Sequence, residues 1–213
     1  MAIVQNPITG RTKKKFGTAV FAKQFGKNTM RTKPMEVKNP RTTGQVNQRN
    51  KFALMVAEGR KVNIMLKVSF QNMALEMTPF NVFIKQNIKT AITGVPGSYA
   101  IDYSLLTIAK GPLYKTISFH AGAELAKSVK RTWTAPIDPL DPANLDLLYV
   151  AAYNEDKSEW YYSKTAVTRT TGLHQQTVPD EWVGDTVHVY SFFVSPDGSQ
   201  SSDGVYSGTV VII

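Results

Sequence analysis

From residue 116 onward the chain runs in short apolar and aromatic stretches separated by turn formers, with no helical periodicity between them, and no other feature restricts the fold as strongly. TISFHAG (116–122), VKRTWTA (129–135), LLYVAAYN (147–154), EWYYSKTAV (159–167), DTVHVYSFFV (185–194) and VYSGTVVI (205–212) read as strands, preceded by IDYSLLTIA (101–109). IDPLDPAN, NEDK and SPDGS read as turns; in the last, Pro196 presets one turn position and Gly198 closes it. Strands recurring about every 10–20 residues without helices between them pack as an antiparallel sandwich. Residues 116–213 have the length of an immunoglobulin or fibronectin type III domain, and the order fits one. Trp133 sits in an early strand, VAAY is central, and VPDEWVGDTVHVY leads into a long strand that holds Tyr190.

Upstream the period changes. Thr42 or Thr43 supplies a helix cap, and the helix is expected to run to about Glu58 with Gly59 as its stop. Phe52, Ala53 and Val56 share one face, while QVNQRN before them is almost wholly polar, so one end packs and the other does not. Residues 61–77 mix periods and are taken as mostly helical. Thr78-Pro79 is a cap followed by proline at the first helical position, where its missing N–H costs nothing. Phe80, Phe83, Ile84, Ile88, Ala91 and Ile92 then form one stripe, ended by Gly94. The predicted architecture is an α+β N-terminal region followed by an all-β immunoglobulin-like sandwich. Its parts are a basic extended arm with a β-hairpin (1–41), a helical region with a connecting strand (42–115) and the sandwich (116–213).

The arm is strongly one-sided in charge. Residues 1–51 hold 12 Lys/Arg and a single acid, Glu36. GTAVFAK and NTMRTK read as two extended runs joined around Phe25-Gly26-Lys27, where glycine supplies the positive φ of a tight turn. Phe16, Val20, Phe21 and Phe25 are its apolar anchor. Pro34 and Pro40 keep the following chain extended. Residues 1–115 carry 19 Lys/Arg and 4 Asp/Glu, a balance of +15, whereas residues 116–213 carry 6 and 12, a balance of −6. A basic half and an acidic half are complementary surfaces for neighbouring copies, or modules with different partners.

Composition closes off several chemistries. With 42% hydrophobic residues the chain buries a real core, and with no cysteine it forms no disulfide or thiolate site. The N-terminus lacks the order of a secretory signal, and no run of about 18 apolar residues is present to span a bilayer. His120, His174 and His188 lack zinc-site spacing, and nucleophile-elbow and phosphate-loop motifs are absent, so no enzyme and no cofactor are expected. Asp138, Asp141 and Asp146 sit in a proline-rich loop without the spacing of a calcium loop, and Glu155-Asp156 and Asp180-Glu181 read as solvated turn acids. Trp160, Tyr161 and Tyr162 in succession put rings on both faces of a strand. At least one is then an interface candidate, for a subunit or a glycan, unless a neighbouring element covers it.

RTKPMEVKNPRTTGQVNQRNKFAL, MTPFNVFIKQNIKTAITG, AIDYSLLTIAKG and VPDEWVGDTVHVYSFFVSPDG with VYSGTVVI, in that order over nearly the whole chain, resemble a family of unknown function widespread in Bacteroidota genomes and their phages. The resemblance carries over no catalytic residue. It implies a virion component, found in the particle or in the host cytoplasm during assembly. The function expected is that of a non-enzymatic structural protein of a phage capsid, tail or connector. Its partners are copies of itself and other virion proteins, engaged by Arg11, Lys13, Lys14, Lys15, Lys23, Lys27, Arg31, Lys33, Arg41, Arg49 and Lys51. The alternative is sequence-nonspecific nucleic-acid binding by the same cations, without base readout. A carbohydrate-binding module using the Trp160–Tyr162 face is the third reading.

Overall fold

A Phe-Gly dipeptide between two six-residue runs folds the basic N-terminal segment back on itself. Phe25 (φ +47°) and Gly26 (φ +80°) both lie in the left-handed region, as in the mirror-image two-residue turns whose twist matches the flanking strands. The computed structural model describes residues 2–3, 14–36, 39–114, 118–136, 138 and 141–213, and the chain divides into two units, Met1–Thr43 and Gly44–Ile213. In the first, β1 (Ala2–Ile3), β2 (Lys14–Phe16), β3 (Ala19–Gln24) and β4 (Lys27–Thr32) form an antiparallel sheet in the order β1-β4-β3-β2. The expected hairpin is thus the centre of a four-stranded layer.

The second unit begins with helices. α1 (Thr43–Lys61) runs through Gly59 rather than stopping there. Gly59 is buried, and a Cβ on it would stand 3.0–3.1 Å from the rings of Phe80 and Phe83, so the glycine serves close helix packing instead of termination. Of the stretch 61–77, α2 (Asn63–Ser69) and a 3-10 turn at Gln71–Met73 are helical. α3 (Pro79–Asn87) starts as expected, with the Asn81 amide donating to Thr78 Oγ1 at 3.2 Å, but it ends at Asn87. The buried Asn87 side chain donates to the carbonyls of Phe83 and Thr107 and accepts from the Thr107 amide at 2.7 Å, which ties the following loop to the helix end. Ile92 therefore lies in β5 (Ile92–Val95), paired with β6 (Ser98–Ile101). Gly94, at φ +93°, is a hairpin residue whose Cβ would meet the Ser98 carbonyl oxygen at 2.2 Å. Residues 102–109 are not a strand; Leu106, Ile108 and Ala109 are buried in an irregular segment. Among the described residues no helix is long and apolar enough to cross a membrane.

Among the described residues seven strands follow: β7 (His120–Gly122), β8 (Ser128–Thr132), β9 (Leu147–Asn154), β10 (Glu159–Thr168), β11 (Leu173–Thr177), β12 (Thr186–Val194) and β13 (Val205–Val211). They form two antiparallel sheets, β11-β8-β7 and β10-β9-β12-β13, which is an immunoglobulin-like, fibronectin-III-type sandwich. β11, whose sequence LHQQT is polar, was not among the expected strands.

β9 and β12 are covered on both faces. Ala151 and Tyr153 of β9 and Tyr190, Phe192 and Val194 of β12 pack with Met55, Met65, Leu66, Phe70 and Phe83 from the helical layer. The alternate residues, among them Leu148, Val150, Val187, Val189 and Phe193, fill the space between the sheets. Each fully buried apolar side chain of this kind contributes about 1.5–3 kcal/mol. Helices and sandwich therefore share one folding core.

Candidate functional site

Among the described residues the first unit is a single layer. No described residue from Lys15 to Thr43 is buried, and Phe25 and Met30 are 48% and 37% exposed. Pairing Phe21 with Met30 and Ala19 with Thr32 puts these four on one face, with Lys23 beside them. The other face carries the row Lys15–Val20–Arg31, in which cations flank a valine, and the Thr29 hydroxyl donates to the Ala22 carbonyl on that side. Lys15, Lys23, Lys27, Arg31, Lys33 and Arg41 are all exposed. Lys14 and Phe16 are the ends of β2, paired with Phe21 and Ala19, while Arg11 and Lys13 lie outside the described residues. The whole formal net charge of the chain is located here: residues 1–43 hold ten Lys/Arg and one acid, residues 44–213 fifteen of each.

The remaining two cations of the expected set stand on α1. Arg49 is exposed; Lys51 places its Nζ 4.8 Å from the centre of the Tyr99 ring, so the β5–β6 hairpin takes it up. The polar first half of α1 is exposed throughout except for Asn47, which is half-buried.

The aromatic run of β10 is absorbed by the chain's own layers. Trp160 faces the helices, and its indole donates to Glu58 Oε1 at 2.5 Å. Glu58, buried, also pairs with Lys61 at 3.1 Å. Around them Tyr103 stacks on Tyr153 at 3.9 Å, Tyr190 donates to the Tyr103 carbonyl at 2.5 Å, and the His188 Nδ1 lies 3.0 Å from the Tyr206 hydroxyl. Burial, foremost, pushes the Tyr103 and Tyr190 phenols far above their ordinary range, so they stay protonated donors. With one indole and one ammonium on its carboxylate, Glu58 clamps α1 to the sheet. Tyr161 packs edge-on against Trp182 at 6.4 Å between the sheets. Tyr162 lines an apolar groove of about 390 Å³ with Ile64, Met65 and Val68.

His120, His174 and His188 lie on β7, β11 and β12, and among the described residues no three His, Asp or Glu side chains gather for a metal. Asp141 caps a 3-10 turn by accepting from the Ala143 amide, and Asp146 is buried against Arg169 at 2.8 Å. The sequence reading overlooked both buried arginines, Arg131 and Arg169. For Arg131 a signal was present: in VKRTW, period-two alternation puts Val129, Arg131 and Trp133 on the same face, and two of the three are plainly core residues.

The profile of a family described as a family of unknown function (DUF6266) matches residues 11–208. No curated protein matches the chain. Among solved structures, the fn3 domain of the human collagen alpha-1(XX) chain is similar at TM-score 0.34 and 10% identity, over 46% of this chain and 83% of that one. The chicken CNTN1 FN1–FN3 domains are similar at TM-score 0.34 and 17% identity, over 56% of this chain and 37% of that one.

Proposed function

The chain belongs to the DUF6266 family of unknown function, and from that premise we propose that it is a non-enzymatic assembly protein, a subunit of a phage particle that docks on its neighbours through its basic N-terminal sheet. One observation carries the reading: the first unit holds the entire net charge and buries no described residue. A sheet becomes stable by covering an apolar face with a second layer, and a segment of about 40 residues seldom supplies one itself. The Phe21–Met30 face and the Lys15–Arg31 face together suit a partner that offers apolar contact and negative charge. The acidic C-terminal part of another copy has the matching sign, with 6 Lys/Arg against 12 Asp/Glu over residues 116–213.

Light scattering on the eluting peak tests this with the full chain and with residues 44–213, which keep every described buried residue. The full chain is expected to give a mass of several subunits that falls as salt rises, and the shortened chain that of a monomer. Equal monomeric masses at high concentration exclude self-assembly through this sheet.

A second reading rests on the exposed cations of the same sheet. If six of them meet phosphates, duplex affinity falls with log salt at a slope of about −5. A flat salt response removes nucleic acid as the partner.

A further inference from the structure

A polar belt divides the space between the two sheets of the sandwich. On the inward face of β8 and the residue just beyond it the order is Val129, Arg131, Trp133; on β12 it is Val189, Ser191, Phe193. Val129 and Val189 belong to one buried apolar cluster, Trp133 and Phe193 to another, and Arg131 and Ser191 stand between the two. Arg131 is 0% exposed. Its Nη2 donates to the Ala151 carbonyl of β9 at 3.2 Å, while Nε and Nη1 have no partner among the described residues. No described carboxylate pairs with it, and burial alone pushes its pKa down to about 9. Gln176 of β11, 5% exposed, leaves both amide atoms unpartnered, and so does the Ser191 hydroxyl.

A buried charge with no counter-ion costs several kcal/mol, and a half-satisfied network is worse than an apolar core. A core position that keeps a guanidinium therefore calls for an anion. The belt has an opening for one. β10 and β11 are edge strands of opposite sheets, and between them lies a cleft of about 290 Å³, lined by Tyr161, Ser163, Lys164, Thr165, His174 and Gln176 among others. β11 is the neighbour of β8 and β10 the neighbour of β9; the guanidinium, reaching from β8 to the Ala151 carbonyl, does not itself line the cleft but lies behind His174 and Gln176, so a ligand reaches it only past these two side chains. His174 is the cross-strand partner of Arg131. Burial, and then the arginine's charge, hold its imidazole below the ordinary range, so it stays neutral and adds no second cation.

We propose that this cleft binds a small polar carboxylate, with Arg131 as the buried cation, Gln176 and His174 as polar wall and Lys164 at the mouth. A carboxylate fits because its two oxygens match the planar fork of a guanidinium, and because one fixed buried charge neutralises one negative charge. A phosphate dianion brings a second charge that only the exposed Lys164 is placed to meet. The size, near the lower bound for ligand sites, and the hydroxyl- and amide-bearing lining suit a molecule of single-sugar-acid size.

The test is a titration of the ¹⁵N-labelled full chain with sodium glucuronate, glucose and inorganic phosphate at constant ionic strength, followed by NMR. Glucuronate is expected to shift the Arg131 Nε–H and the backbone amides of 161–166 and 173–177 saturably, with a Kd below about 10 mM, and glucose to leave them unmoved. In Arg131→Met, which keeps the length of the side chain and removes the charge, the response is expected to vanish while the rest of the spectrum persists. Gln176→Leu is expected to weaken affinity about tenfold and keeps the test available should Arg131→Met fail to fold. No saturable shift with glucuronate, an equal response to phosphate, or unchanged affinity in Gln176→Leu overturns the proposal.

Discussion

The sandwich holds two arginines out of water and treats them in opposite ways. Arg169 lies against Asp146 at 2.8 Å, donates through Nε to the Ala143 carbonyl at 3.2 Å and stacks over Phe193 at 4.2 Å. Its carbonyl in turn accepts from the Trp133 indole at 2.7 Å. Because that charge is compensated, removing its partner strands it: Asp146→Ala is expected to cost about 3–5 kcal/mol in urea unfolding. The double variant Asp146→Leu with Arg169→Met is expected to recover most of that loss, since both charges leave together. A double variant no more stable than Asp146→Ala would assign the effect to the loop and not to the stranded charge. Neither arginine was legible as buried from residue type, because arginine is ordinarily exposed; only the alternation of its strand gave Arg131 away. Arg169 follows β10 in a 3-10 turn, where no period exists to read.

At the level of elements, legibility followed how each one is covered. β9 and β12 were read over nearly their full lengths because both faces are buried, which makes their sequences continuous apolar runs. β11 escaped notice because it is an edge strand whose inward residues are His174 and Gln176, polar side chains that belong to the belt. Residues 102–109 looked like a strand for the inverse reason: buried apolar side chains sit on backbone held by Asn87 rather than by a ladder. The N-terminal hairpin was placed correctly, yet its turn uses an aromatic residue at φ +47°, a conformation that costs a bulky side chain about 1–2 kcal/mol. Phe25→Asn converts the turn to Asn-Gly, which adopts this geometry readily. Slower amide hydrogen exchange across residues 19–32 is the expected result, together with weaker assembly if the exposed ring is a contact. Faster exchange would show that the ring itself holds the hairpin.

For the whole molecule, the burial of β9 and β12 between two layers has a consequence for how such a chain can be divided. A two-sheet sandwich that folds alone buries the inner faces of its sheets and leaves the outer faces to water. Here the outer face of the larger sheet, with Ala151, Tyr153, Tyr190, Phe192 and Val194, is closed by the helices and by the irregular segment with Leu106, Ile108 and Ala109, all of which precede it. Residues 44–213 are expected to melt in one cooperative transition by calorimetry. Residues 116–213 alone are expected to aggregate or to bind a hydrophobic dye, and a well-behaved monomer from that fragment would refute the shared core. Such a sandwich is no detachable bead: the smallest portion expected to survive excision is helices and strands together, cut ahead of the first helix.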